Sequence, residues 1–195
     1  MLKKKEIILK AAAILFSEKG FKDTSMSELS KATGIAEGTI FYHFKNKEDI
    51  LLSILDDIKN RIVKEFSDYL KDKETQAKNG LGLMEEIISF YLYLAGMMEN
   101  RFLILHHYYP YKLAEENTIC RNHLEEIYNF LLNIFENAIK KGQSDGSIGL
   151  SHDRKTALLI FSMVDGVVRF KNYNLYESSS LYNELINLCK KLLKN

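Results

Sequence analysis

Three side chains in the N-terminal quarter, Thr39, Tyr42 and His43, fall at i, i+3 and i+4 within the stretch "GIAEGTIFYHFKNKED". At helical spacing they share one face. A hydroxyl, a phenol and an imidazole can each donate and accept hydrogen bonds. Such a set suits contact with the base edges and phosphates of a duplex. Ile40 and Phe44, four apart, point the other way, into a small core. Gly38 has no side chain and would let the backbone approach a partner closely. Lys47 follows at the start of another helix, where free N–H groups and the helix dipole favour a phosphate. The same pattern also fits a compact three-helix cap with an exposed Tyr and His.

The elements that must position these residues are readable on either side. Ile7, Ile8, Ala11, Ile14 and Leu15 recur at helical spacing and predict a helix over about residues 4–19, stopped by Gly20. Ser25 and Glu28 form a capping box for a short second helix that ends at Gly34, a residue suited to a left-handed turn. A third helix is expected over about residues 37–44. Short helix, glycine turn, short helix is the helix-turn-helix arrangement, whose second helix can enter a major groove. Asn46 can cap a fourth, longer helix with Ile50, Leu51, Ile54, Leu55, Ile58, Ile62, Val63 and Phe66 on one broad face. Further helices are expected over about residues 81–98, 101–108, 117–141, 153–175 and 179–193. Pro110 is expected to break the second of these, and "GQSDGSIGLSHD" reads as a loop. The fold class is all-α.

Composition narrows the function classes. Hydrophobic residues make up 46% and charged residues 27%, as in ordinary soluble domains. The net charge of +1 hides an asymmetry, because residues 1–47 hold nine Lys against five acids. That end is a plausible partner for a polyanion. Cys120 and Cys189 have no metal or redox spacing, which suggests a reducing compartment. No nucleophile–base pair, phosphate loop or metal motif is present, so neither catalysis, a cofactor nor a metal is expected. His106 and His107 are consecutive and would point about 100° apart on a helix. The apolar runs are too short for an export signal or a membrane span, so the cytoplasm is the expected location.

Residues 24–55, "TSMSELSKATGIAEGTIFYHFKNKEDILLSIL", resemble the DNA-binding segment of the TetR/AcrR family of bacterial transcriptional regulators. Upstream, "ILKAAAILFSEKGF" is similar to the family's first helix, so the resemblance covers about the first 55 residues. It implies an all-helical homodimer that binds a palindromic double-stranded operator and is released by a small-molecule effector held in the C-terminal domain. Carried over by position, Thr24 and Ser25 would bind phosphate. Gly38, Thr39, Tyr42 and His43 would lie in the groove, and Lys47 would hold backbone phosphate. Two positions depart from the family. Phe41 stands where a Tyr is most frequent, which removes a phosphate-contacting hydroxyl and leaves a ring expected only to pack. Glu37 is an acid at a variable position, poorly placed near phosphate; it could accept a hydrogen bond from a cytosine amino group, and is expected instead to point to water.

The remainder divides into an interface and a possible pocket. Leu181, Leu185, Leu188 and Leu192 form one row on the last helix, beside Tyr182, Ile186, Cys189 and Leu193. The preceding "TALLIFSMVDGVVRF" is apolar nearly all round and needs burial on two sides. Together they predict a four-helix dimer interface, with a thick monomer core as the alternative. The middle is rich in aromatics, and Phe90, Tyr91, Met97, Phe102, His106, Tyr109 and Arg169 are candidates to line an effector pocket. Plain core is the competing explanation. Functionally, residues 1–47 form the expected DNA-binding domain and 48–195 the effector-binding and dimerisation bundle. The long fourth helix would be the transmitter between them. The expected activity is that of an effector-responsive repressor. An architectural or cell-division DNA binder of the same fold, without an effector, is the alternative.

Overall fold

The structure, a computed structural model, describes residues 2–149, 152–176 and 181–194. Among them are ten helices: α1 (Leu2–Lys19), α2 (Met26–Thr33), α3 (Glu37–His43), α4 (Lys47–Gln76), α5 (Gly80–Met97), α6 (Glu99–His106), α7 (Tyr108–Glu116), α8 (Thr118–Asp145), α9 (Asp153–Asn172) and α10 (Tyr182–Lys194). No strand occurs among the described residues, and none of their helices is singly long and apolar enough to cross a membrane.

Local chemistry sets the first boundaries. Gly20, at φ 86°, ends α1, and its N–H bonds to the Phe16 carbonyl at 3.1 Å. Ser25 Oγ accepts the Glu28 N–H at 3.1 Å and so caps α2. Glu28 accepts from Lys19 Nζ and from the Ser25 N–H, and the lysine is the larger cause of its lowered pKa. Gly34, at φ 67°, takes the left-handed turn before α3. Asn46 Oδ1 accepts the Asp49 N–H at 2.8 Å, while Asp49 Oδ2 accepts the Lys45 N–H at 3.1 Å. This reciprocal pair opens α4.

Two compact units result. The first runs to Arg61 and resumes over Met98–Glu126; the second comprises Ile62–Met97 and the chain from Ile127 on. In the first, α1 packs against α2 and α6, over a core that includes Ile8, Ala12, Phe16, Leu29, Ile40, Phe44, Ile50 and Ile54. In the second, α5 packs against α9 and α10. These units do not coincide with the division expected at residue 47, because the first unit runs on to Arg61 and α6 and α7 return to it.

Three expectations along the chain need correction. Pro110 does not end α6. The break is at His107, whose extended backbone lets its N–H bond to the carbonyls of Leu103 and Ile104. Pro110 instead sits in the first turn of α7, where a missing N–H costs nothing. Second, residues 142–145 are not loop, since α8 continues to Asp145. Its end supplies caps for α5: Asp145 Oδ2 accepts the Gly80 N–H at 2.7 Å and Ser147 Oγ the Leu81 N–H at 3.1 Å. Asn79 Oδ1 takes the Gly82 N–H at 2.9 Å. Close approach is needed there, because a Cβ on Gly80 would fall 2.0 Å from the Gly142 nitrogen. Third, α9 stops at Asn172, followed by a turn in which Asn174 takes φ 51°. The expected start of the last helix at residue 179 lies outside the described residues.

Candidate nucleic-acid interface

Helix α3 has a single core-facing residue, Ile40, and the C-cap Phe44 is buried beside it. With 100° per residue, Gly38 and Tyr42 lie almost opposite Ile40. Glu37 and Phe41 form a row on one flank, and Thr39 and His43 a row on the other. Exposure is uneven across these flanks. Tyr42 is 72% exposed and Phe41 48%, with Glu37 and Gly38 also open, while Thr39 and His43 are half-buried. The Tyr42 ring stands edge-on to His43 at 5.4 Å. The structure therefore brings Gly38, Thr39, Tyr42 and His43 onto one short helix, although Thr39 and His43 occupy its flank. Phe41 does not pack inward, contrary to expectation. Glu37 is exposed.

The phosphate candidates separate into two kinds. Ser25 is exposed, and while its oxygen accepts from Glu28 its O–H remains able to donate. Thr24 is 1% exposed, and its hydroxyl donates to the carbonyls of Gly20 at 3.0 Å and Leu15 at 3.4 Å. Its side chain therefore holds the α1–α2 turn, rather than facing a phosphate as expected. Lys47 is half-buried. Its Nζ donates to the carbonyls of Thr24 at 2.6 Å and Lys22 at 3.1 Å, and stands 4.5 Å from the Phe21 ring centroid. Burial holds its pKa below the ordinary lysine value, with Asp23 opposing the shift. An ammonium has three donors, so one is left for a phosphate after the two carbonyls. Thr24 and Lys47 thus act together to place Ser25 and the start of α2.

Sequence reasoning missed the support behind this turn. Tyr109 stacks on Phe21, centroids 3.9 Å apart and planes within 13°. Its hydroxyl donates to Glu48 Oε1 at 3.1 Å. Burial first, and the Glu48 carboxylate second, push its pKa up to about 12. His107 Nε2 lies 3.2 Å from the Ser17 carbonyl. The available signal was the apolar Phe21 straight after Gly20, which needs a ring or aliphatic partner from elsewhere in the chain.

The seven expected pocket residues do not share one compact unit. Tyr109, Phe102 and His106 belong to the first, where Phe102 and His106 are buried edge to face at 6.3 Å. Phe90, Tyr91, Met97 and Arg169 belong to the second. There Phe90 stacks on Tyr69 at 4.0 Å and meets Phe66 edge-on at 4.9 Å. The buried Tyr91 donates to Asp165 and meets Phe161 edge-on at 5.5 Å. Met97 and Arg169 are exposed. Among the described residues no group of three or more His, Cys, Asp or Glu could hold a metal ion. Burial pushes the thiols of Cys120 and Cys189 up to about 11.

The expected dimer row splits. Leu185 is 5% exposed, buried by its own chain together with Ile186, Cys189 and Leu193. Leu188 is 54% exposed and Leu192 46%, and Leu181 is also open. On α9, Leu159, Met163 and Phe170 form an exposed row, in line with Gly166, where an added Cβ would meet nothing within 4 Å.

Comparison with known proteins bears on this geometry. Residues 8–54 match the tetR family of bacterial regulatory proteins. A fatty acid metabolism regulator protein of Bacillus subtilis (strain 168) is 29% identical over 184 residues, which span 93% of this chain and 91% of that one. The structure of the transcriptional regulator FadR from Bacillus subtilis in complex with stearoyl-CoA superposes with a TM-score of 0.75 at 26% identity, covering 94% of this chain and 96% of the other. The fatty acid degradation regulator FadR of Bacillus halodurans shares the fold, with a TM-score of 0.76 at 23% identity over 96% of this chain and 94% of its own. Its helix-turn-helix segment thus matches the tetR family of bacterial regulatory proteins, and its likeness to transcriptional regulators of that kind runs through nearly all of its length.

Proposed function

We propose that the protein is a dimeric repressor that binds a palindromic operator through α2 and α3, and is released by a small amphipathic ligand with a long apolar chain. One observation carries the DNA-binding half: the outward surface of α3, where Gly38 and the exposed Tyr42 stand opposite buried Ile40. Ser25 and Lys47 supply the flanking phosphate contacts. Dimerisation is supported by the apolar surface left open on α9 and α10, with Leu159, Met163, Phe170, Leu188 and Leu192 exposed.

The ligand class follows from the relatives. One is named for fatty acid metabolism and another holds stearoyl-CoA, so a long-chain fatty acyl thioester is the proposed effector. Phe90, Tyr91, Met97 and Arg169, all in the second unit, are the residues proposed to meet it. To release DNA, it must bind the DNA-free protein more tightly than the complex, and DNA must weaken its binding by the same factor.

The test begins with selection of preferred sites from random duplexes, followed by anisotropy with wild type and Tyr42→Ala. We expect Tyr42→Ala to lose about 1–3 kcal/mol of discrimination and retain non-specific binding. Release by long-chain acyl-CoA, but not by CoA alone, would support the effector reading. Release by neither would favour an effector-free architectural DNA binder. That second reading has its own observation, the close packing of Phe66, Tyr69 and Phe90 in the second unit. If selection yields no preferred sequence, the groove reading fails.

A further inference from the structure

The exposed surface of α3 carries no positive charge. Its open positions are Glu37, Gly38, Phe41 and Tyr42, while the hydroxyl and ammonium suited to phosphate, Ser25 and Lys47, lie outside the helix. The Glu37–Phe41 row is the most telling part. Neither a carboxylate nor a phenyl ring can donate to a phosphate, and a carboxylate is repelled by one. Among the described residues, neither makes a hydrogen bond, ion pair or ring contact that would occupy it. Phe41 is 48% exposed, a large apolar surface held in water on the flank of a helix only seven residues long.

Once α3 lies in a groove, a row unable to donate to the backbone has water and the base edges left to meet. Those edges are largely hydrogen-bonding, and the apolar feature of the major groove is the thymine 5-methyl group. We propose that Phe41 is a specificity-determining residue that reads a thymine 5-methyl in each half-site. The inference rests on the reading that α3 enters the major groove. Phe41 then supplies a preference that a phenol in its place would divide between base and backbone. Glu37, one turn earlier, disfavours any shift of the row onto phosphate. It also leaves an acceptor for an exocyclic amino group on a neighbouring base.

The experiment uses the full-length protein and a duplex chosen by selection from a random pool. Each thymine of the preferred site is replaced singly by deoxyuridine, which lacks only the methyl group, and binding is measured by anisotropy at fixed salt. At one thymine per half-site, wild type should bind the uracil duplex about three- to fivefold more weakly, the value of one buried methyl. Phe41→Ala should bring that ratio to about one, and Phe41→Leu should keep part of it. Circular dichroism and thermal unfolding of both variants check that the helical fold is retained, and the wild-type uracil scan needs no variant at all. The inference is overturned if wild type is indifferent to every thymine replacement, or if Phe41→Ala keeps the full ratio; selective binding would then still stand. If selection returns no preferred sequence, groove entry itself fails and the inference falls with it.

Discussion

Helices α3 and α10 use their exposed faces in opposite ways. On α3, buried Ile40 anchors a helix whose open side mixes a phenol, a phenyl ring, a carboxylate and a bare glycine. On α10, Leu185, Ile186, Cys189 and Leu193 are buried, yet Leu188 and Leu192 stay open, as does Leu181 just before the helix. The first face is varied and hydrogen-bonding, suited to a partner with many distinct polar groups. The second carries an aliphatic row with charged residues at its edge, suited to a partner surface with an apolar centre. A hydrophobic residue on α3 therefore means something different from one on α10. Phe41 stands alone among polar neighbours, whereas each exposed leucine of α10 belongs to a row.

The largest effect should come from breaking the aliphatic row. Leu188→Glu with Leu192→Glu leaves the buried residues of α10 in place, and should give a folded monomer by sedimentation. Operator affinity should fall about 100-fold or more, the avidity of two half-sites being lost. A dimeric double variant would remove this face from the interface. Leu185 is a poor probe, since a charge there would be buried in its own protomer.

A smaller effect separates holding from touching on the DNA-binding side. Lys47→Ala removes two hydrogen bonds to the α1–α2 turn and the contact with the Phe21 ring. Stability should drop by about 1–2 kcal/mol, read by thermal or urea unfolding. The slope of log affinity against log salt should fall by no more than about one. A lost slope with unchanged stability would make Lys47 a phosphate contact only. Lost stability with an unchanged slope would make it a structural clasp.

The smallest effect concerns pH. Glu28 has its pKa lowered, chiefly by Lys19. A carboxyl depressed in the folded state adds stability above its unfolded pKa, and loses it as pH falls through the folded value. Thermal midpoints should therefore decline on acidification from neutral, less steeply in Glu28→Gln. Equal slopes in the two proteins would show that the pair does not contribute.

What could be read in the sequence was what depends on near neighbours. Ser25 with Glu28, Gly34, and Asn46 with Asp49 each complete their chemistry within three residues, so the three-helix segment was legible. The inward pair Ile40 and Phe44 follows from spacing alone. The roles of Thr24 and Lys47 were not legible, because Lys47 bonds to carbonyls 25 and 23 residues away. The last turn of α8 was hidden for the same reason. A glycine-rich stretch reads as loop until Gly80 and Gly142 are known to need close approach. Nor could spacing decide which leucines of α10 face inward, since two adjacent rows offer the core either choice.

The caps of α5 also have a consequence for the order in which the chain is completed during synthesis. Its first two backbone donors, on Gly80 and Leu81, are answered by Asp145 and Ser147, 65 and 66 residues later. Until the ribosome has released that far end, the start of α5 has only Asn79 to cap it. The second unit therefore cannot finish α5 before its middle has been made, and a nascent chain halted short of residue 145 would carry a frayed start of that helix.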